Sequence, residues 1–277
     1  MTLTRKTQIG LILTTLVLFV LLFIAPKTRS DNQTDSKSVS VPKNTIETIE
    51  PFLIEAIKSL TAENKNIYES LVKTATQSNI DTAFVPVVQF WDKQKHPDIA
   101  SFFVEKIAQK VQSSEGYLKA GDRYYYAIRF VNNNSEIQAL YQSSIRCYSK
   151  SLEKDSKNTD AKIQLAACYV EDGKDPMKGI SLLKEIEKTD SSNVKLQLTF
   201  AFFSVKSGQL DKAINRFNKV LAIDPLFIEA YLHLADAYEQ QGNTNKTIEV
   251  LTKYASLTDD AMAKQEVLKY IQQLKNK

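Results

Sequence analysis

Three glycines recur at a nearly constant spacing in the C-terminal half of this chain, and that spacing limits the possible folds more than any other feature. Gly208 and Gly242 are 34 residues apart, and Gly173 precedes Gly208 by 35. Each glycine ends one helical pattern and begins a turn into the next. A repeat of this length indicates stacked units, because a single unit cannot bury its apolar face alone. We therefore predict an all-α chain of stacked helical hairpins.

Apolar residues on both sides of these glycines recur with the period of an amphipathic helix. Around Gly242 the helical faces consist of Tyr231, Leu234, Ala235 and Tyr238 before the turn, and of Thr247, Leu251 and Tyr254 after it. The preceding unit has Phe200, Ala201 and Ser204, followed by Ala213, Phe217 and Val220. The small residues Ala201, Ala213 and Ala235 allow two antiparallel helices to approach each other closely.

These residues resemble the tetratricopeptide repeat family, whose pattern is W-x2-L-G-x2-Y, then A-x3-F, then P. The resemblance covers residues 81–261 and divides them into the units 81–113, 114–158, 159–193, 194–227 and 228–261. The last two units match the pattern best. The resemblance implies a right-handed α-solenoid, a concave surface that binds peptides, and a non-catalytic scaffold function. We expect helices in 45–80 to extend the stack and an amphipathic helix in 262–277 to cap it.

An uncharged apolar run at residues 9–25 precedes the repeats. As a helix rising about 1.5 Å per residue it spans roughly 25 Å, which is close to the thickness of a bilayer core. We predict a transmembrane signal anchor behind a short tail at 1–8. The alternative is a cleaved signal peptide, although the run lacks an A-x-A-like cleavage pattern and is followed by Pro26. Residues 26–44 are polar and predict a flexible linker.

The excess positive charge of the chain lies beside this apolar run. The formal net charge is +4, and residues 1–30 contain Arg5, Lys6, Lys27 and Arg29 without an acidic residue. The remaining 247 residues therefore hold 32 basic and 32 acidic side chains, so we predict no nucleic-acid partner. Basic residues on both sides of the run hardly discriminate its orientation. Because the tail is short, we expect a single-pass protein of a bacterial inner membrane with its C-terminal domain in the periplasm.

The sequence contains no set of residues with the spacing of a catalytic or metal site. His96 and His233 lie far apart, and neither has a Cys or acidic partner at metal-ligand spacing. We therefore predict no enzymatic activity, no metal and no cofactor. An enzymatic alternative would place a site in the long connection at 131–135. Cys147 and Cys168 lie on neighbouring predicted helices, and the sequence allows either a disulfide or two buried thiols.

Residues between the core positions of the first helices form the predicted partner-binding groove. The groove residues are Ile163, Ala167, Val170, Leu198, Phe202, Val205, Leu232 and Asp236. This stripe is mostly apolar and lacks the Lys/Asn set with which some family members bind a C-terminal carboxylate. The expected ligand is therefore an amphipathic helix or an extended hydrophobic peptide. Alternatively, these residues pack against the N-terminal helices or a second copy, and the chain is a self-associating structural subunit of an envelope complex.

Overall fold

The computed structural model describes residues 48–276. The predicted tail at 1–8, the signal anchor at 9–25 and the linker at 26–44 lie outside the described residues, as does Lys277. Among the helices that the structure describes, none combines the length and the apolarity needed to cross a bilayer.

Residues 48–276 form thirteen α-helices and contain no β-strand. The helices are α1 (Glu50–Ser59), α2 (Ala62–Gln77), α3 (Val85–Lys93), α4 (Pro97–Val111), α5 (Ser114–Ala127), α6 (Asn134–Lys154), α7 (Thr159–Asp172), α8 (Pro176–Thr189), α9 (Val194–Lys206), α10 (Leu210–Ile223), α11 (Ile228–Gln240), α12 (Thr244–Leu257) and α13 (Ala261–Lys275). A short 3-10 turn at Ile128–Phe130 follows α5. The described part of the chain thus confirms the predicted all-α class.

Consecutive helices from α3 to α12 pack as five hairpins, which are α3–α4, α5–α6, α7–α8, α9–α10 and α11–α12. Each hairpin also packs against the next one, and α13 packs against α12. Short connections make neighbouring helices antiparallel, so the chain stacks in sequence order. The stacking confirms a helical-repeat solenoid, while the boundaries of the five predicted units stay predictions.

The regular spacing of the turn glycines has a conformational cause. Gly173, Gly208 and Gly242 have φ angles of 75°, 71° and 74°, in the left-handed region. Any other L-residue is strained there by about 1–2 kcal/mol. The next helix then begins two or three residues later. The glycines recur with the period of the repeat because each of these turns needs one residue in the left-handed conformation.

Asparagine residues cap the N-termini of several of these helices. Asn158, Asn193 and Asn243 precede α7, α9 and α12, and each Oδ1 accepts a hydrogen bond from the backbone N–H three residues later, at 2.9, 3.0 and 3.2 Å. Each bond satisfies one of the helix donors that has no partner within the helix, which is worth about 1 kcal/mol. These caps fix where α7, α9 and α12 begin.

The hydrophobic core is a series of local clusters between neighbouring helices. The C-terminal cluster joins α9 to α13 and includes Ala201, Phe217, Leu234, Leu251 and Ile271. The cluster between the α7–α8 hairpin and α9 includes Ile163, Leu183, Leu196 and Phe200. Most clusters join elements that are adjacent along the chain, as stacking of neighbouring hairpins requires. The exception is at the N-terminal end, where Ile49 and Phe52 at the start of α1 pack into the cluster of α4, α5 and α6.

A buried ion pair connects the hairpins in the N-terminal half. The Glu105 side chain is 5% exposed and accepts hydrogen bonds from Arg146 Nη2 at 2.7 Å and Nε at 3.1 Å, and from the Tyr124 hydroxyl at 2.9 Å. Burial alone would raise the pKa of Glu105, but the hydrogen bonds and charge of Arg146 hold it below its ordinary value. Helices α4, α5 and α6 are therefore held together by a fully paired carboxylate.

Cys147 and Cys168 are both free and buried. Burial raises the pKa of each thiol well above its ordinary value, because an apolar environment disfavours the thiolate. Both side chains therefore act as small neutral core residues.

We predict that Gly179→Ala destabilises the protein more than Gly208→Ala. A Cβ at Gly179 would lie 2.4 Å from the backbone oxygen of Ala166, so α8 and α7 would have to separate. Overpacking of this kind costs about 1–3 kcal/mol. A Cβ at Gly208 meets nothing within 4 Å, so its cost is that of the left-handed conformation alone. Urea unfolding followed by circular dichroism measures both. Equal midpoints for Gly179→Ala and the wild type would contradict the close approach.

Candidate functional site

The predicted groove residues of α7 lie mainly inside the structure. Ile163 is completely buried, in the cluster with Leu183 and Leu196, and Ala167 is only 6% exposed. Val170 is half-buried and lines a cavity between the α7–α8 and α9–α10 hairpins. The α7 part of the stripe therefore contributes to packing between hairpins more than to an open surface.

The predicted groove residues of α9 and α11 lie closer to solvent. Leu198, Val205 and Leu232 are partly buried and pack against the C-terminal cluster, whereas Phe202 is 43% exposed. Asp236 is exposed, and its carboxylate accepts a hydrogen bond from Gln240 Nε2 at 2.8 Å. These five residues form the part of the predicted stripe that lies on α9 and α11.

Three rings from three consecutive helices meet at Phe202. The ring centroid of Phe202 lies 4.8 Å from that of His233 and 5.7 Å from that of Phe217, both edge to face. His233 in turn stacks on Phe217 at 5.7 Å with an interplanar angle of 18°. We call Phe202, Phe217 and His233 the aromatic patch. Edge-to-face and offset pairs of this kind add about 0.5–1.5 kcal/mol each, so Phe202 is held in place although it is exposed.

The sequence alone predicts different roles for the members of the aromatic patch. By sequence, Phe202 belongs to the predicted groove, Phe217 occupies a core position of the repeat, and His233 lies on the surface or in the groove. The distances between the rings depend on the distance between α10 and α11. The helical period of the sequence does not predict that distance. The sequence signal that could have located the aromatic patch is the presence of Phe202 and His233 at outward positions on the first helices of successive hairpins.

A second cavity of about 500 Å³ lies beside the long connection at 131–135, in which the enzymatic alternative would place a site. Asn132 and Asn133 line this cavity together with three carboxylates, which are Glu55 from α1, Asp98 from α4 and Glu136 from α6. The Asp98 side chain is 7% exposed, and His96 Nδ1 lies 3.6 Å from its Oδ1. Within the described residues, no group of three or more His, Cys, Asp or Glu side chains is arranged to hold a metal ion.

Asp98 lies close enough to Glu136 to affect the protonation of Glu136. Burial, together with a hydrogen bond to Asp98 and its negative charge, raises the pKa of Glu136 to about 7. The negative charge of Asp98 makes ionisation of Glu136 unfavourable, so Glu136 retains its proton into the neutral range.

Family models match the C-terminal part of the repeat region. A model described as "TPR repeat" matches residues 205–242, and a model described as "Tetratricopeptide repeat" matches residues 228–260. These matches cover less than half of the chain and include α10, α11 and α12. No curated relative matches the chain by sequence.

Solved structures extend the likeness over more of the chain. The thermophilic TPR protein TTC0263 of Thermus thermophilus has 14% sequence identity and a TM-score of 0.50, with 70% of this chain and 98% of that chain covered. MamA from Desulfovibrio magneticus RS-1 has 15% identity and a TM-score of 0.47, over 65% and 97% of the two chains. YrrB, called "a TPR protein with an unusual peptide-binding site", has 18% identity and a TM-score of 0.42, over 73% and 99%.

These comparisons define the class first: the chain is an all-helical repeat protein. At 14% identity, the likeness to the Thermus structure concerns the fold alone. The two family-model matches then support the more particular prediction that the repeats are of the tetratricopeptide type.

We predict that the Asp98–Glu136 pair makes the protein less stable as pH rises from about 4.5 to about 7.5. The folded-state pKa of Glu136 lies above its unfolded value of about 4.3, so the folded chain binds more protons in this interval. The favourable contribution is complete below the unfolded pKa and is lost as pH passes through 7. Glu136→Gln, which carries no titrating proton, removes this slope.

The measurement is the urea midpoint at a series of pH values. Glu69→Gln, which replaces an exposed carboxylate on α2, is the matched control and keeps the wild-type slope. If Glu136→Gln and the wild type show parallel pH profiles, the pKa of Glu136 is not raised in the folded protein.

Proposed function

We propose that this chain is a non-catalytic scaffold that holds a protein or peptide partner on its helical repeats. The contact surface consists of Leu198, Phe202, Val205, Leu232 and Asp236, with His233 beside them. The proposal includes the right-handed solenoid that the family resemblance implies, with this surface on its concave face. Repeats of the tetratricopeptide type generally mediate interactions between proteins, which supports an interaction role at the level of the class.

The exposure of Phe202 carries the proposal for this particular surface. A phenylalanine that is 43% exposed, with its ring packed edge to face on two others, presents a rigid apolar surface to solvent. Aromatic anchors of this kind dominate the energetics of protein interfaces, because they bury a large area with few rotatable bonds. Leu198, Val205 and Leu232 provide a partly buried apolar base beside it.

The chemistry of the surface favours one kind of ligand. Apolar side chains on successive helices suit a peptide that places its own apolar residues at regular intervals. Asp236 adds a single exposed carboxylate, which can orient a peptide by pairing with a basic residue or an amide at its edge.

The proposal also includes anchorage of the scaffold. Residues 9–25 would hold the chain in a bacterial inner membrane, and residues 26–44 would separate the repeats from the bilayer surface, in the periplasm. The uncharged apolar run and the polar composition after it support this arrangement.

We predict that Phe202→Glu weakens peptide binding by about 30-fold, since the loss of an aromatic hot spot costs about 2 kcal/mol. Random peptides displayed in a library are selected on the immobilised full-length protein, and the enriched sequences are measured by fluorescence anisotropy. They should be rich in apolar residues.

Met262→Glu is the matched control, because Met262 is 74% exposed on α13, away from the aromatic patch, and should bind as the wild type does. Equal affinity of the wild type and Phe202→Glu for the selected peptides would reject this surface. Concentration-dependent sedimentation of the wild type, abolished by Phe202→Glu, would instead assign the surface to a second copy of the chain.

Deletion of residues 9–25 tests the anchor independently. We expect the full-length chain to stay in the membrane fraction of a bacterial host after alkaline carbonate extraction, and the deletion variant to become extractable. In spheroplasts, protease should degrade the repeats of the full-length chain if they are periplasmic. Extraction of the full-length chain by carbonate would exclude an integral anchor, and protection from protease would place the repeats on the cytoplasmic side.

A further inference from the structure

A cavity of about 720 Å³ between the α7–α8 and α9–α10 hairpins has an apolar wall. Val170 and Ile180 line it from the first hairpin, and Phe200 and Phe203 line it from the second. Its volume is within the range of about 300–1,000 Å³ that is typical of ligand pockets. The wall is large enough to take one bulky side chain of a partner.

All the charged residues that line this cavity are basic. Lys184 comes from α8, and Lys212 and Arg216 come from α10. No acidic residue is present in the described lining. Lys184 and Lys212 are exposed, and neither forms an ion pair with a described residue. The rim is therefore positively charged, although the chain beyond residue 30 carries equal numbers of basic and acidic side chains.

Arg216 is fixed in position before any ligand arrives. Its guanidinium donates to both carboxylate oxygens of Glu187, and Nη1 also donates to Gln197 Oε1 at 2.7 Å. The guanidinium carbon lies 4.3 Å from the ring centroid of Phe200, a cation–π contact. Because its rotamer is already set, binding next to it costs little additional side-chain entropy.

Glu187 does not neutralise the whole rim. Its carboxylate faces Arg216 and also Lys219, whose Nζ lies 3.7 Å away. The single negative charge is thus shared by two cations, while Lys184 and Lys212 keep their full charge at the mouth of the cavity. Electrostatic complementarity therefore favours an anionic occupant.

We propose that this cavity binds an acidic peptide segment that carries one apolar anchor residue. The anchor packs against Val170, Ile180, Phe200 and Phe203, and the flanking carboxylates lie near Lys184 and Lys212. Asn215 lines the same cavity and makes no side-chain hydrogen bond with a described residue, so its amide is available to the peptide backbone. This site is separate from the aromatic patch, because Phe202 packs on Phe217 and His233 and does not line the cavity.

Three labelled peptides distinguish the two parts of this recognition by fluorescence anisotropy with the full-length protein in detergent. The peptides are Glu-Glu-Leu-Phe-Glu-Glu, its basic counterpart Lys-Lys-Leu-Phe-Lys-Lys, and Glu-Glu-Ser-Ser-Glu-Glu, which lacks the anchor. We expect saturable binding of the first peptide, with affinity that falls as salt is added. The other two should bind at least about tenfold more weakly, since one opposes the charge of the rim and the other leaves the apolar wall empty.

Lys184→Glu combined with Lys212→Glu should lower the affinity for the first peptide by about tenfold or more, because both charges of the mouth are reversed. Lys253→Glu combined with Lys269→Glu is the matched control; these lysines are exposed on α12 and α13, outside the cavity lining, and the control should bind as the wild type does. If the first double variant does not fold by circular dichroism, the Lys184→Gln and Lys212→Gln pair replaces it, with a smaller loss in the same direction.

Phe202→Glu should leave binding of the acidic peptide unchanged, which separates this site from the proposed scaffold surface. No saturable binding of the first peptide to the wild type, equal binding of the serine peptide, or unchanged affinity in the lysine variants would overturn the proposal.

Discussion

The close approach of the two helices within each hairpin is the constraint on which the rest of the structure depends. At Gly179 a Cβ would lie 2.4 Å from the Ala166 oxygen, and at Gly121 it would lie 2.6 Å from the Tyr148 ring. A glycine at these positions leaves room for a backbone oxygen or an aromatic ring that a Cβ would exclude. Other large side chains lie at the sides of the hairpins, where the next hairpin covers them. The stack, its local cores and the cavities between hairpins all follow from this division between small and large residues.

The repeat could be predicted from the sequence because its signals are local. A left-handed glycine, an asparagine cap three residues before its backbone partner, and helical spacing of Phe217 and Val220 each depend on a few neighbouring residues. The N-terminal units are harder to recognise for the same reason. Lys95 adopts a φ of 63° in the α3–α4 turn, whereas the turns of the three C-terminal hairpins have Gly173, Gly208 and Gly242, so the turn is present without the glycine that marks it in the sequence.

The candidate site was predictable only in part, because a helical face does not specify what covers it. Ile163 and Leu198 have equivalent spacing on successive first helices, yet Ile163 is completely buried between hairpins and Leu198 is only partly buried. Charge shows the same limit. Lys184 and Lys212 lie on different hairpins and line the same cavity only because the hairpins stack. The net charge of the sequence carries no information on this arrangement, so the basic rim could not be predicted from it.

Helix α9 brings both proposed surfaces onto one element. Successive residues of an α-helix point about 100° apart, and Phe202 joins the aromatic patch while Phe203 lines the basic cavity. The two surfaces share no side chain. Rigid helices that have no alternative packing transmit little energetic coupling between two binding sites. A partner with an apolar stretch and a separate acidic segment can therefore contact the two surfaces at once, and the linkage between its segments then raises the overall affinity through effective concentration without any further contact.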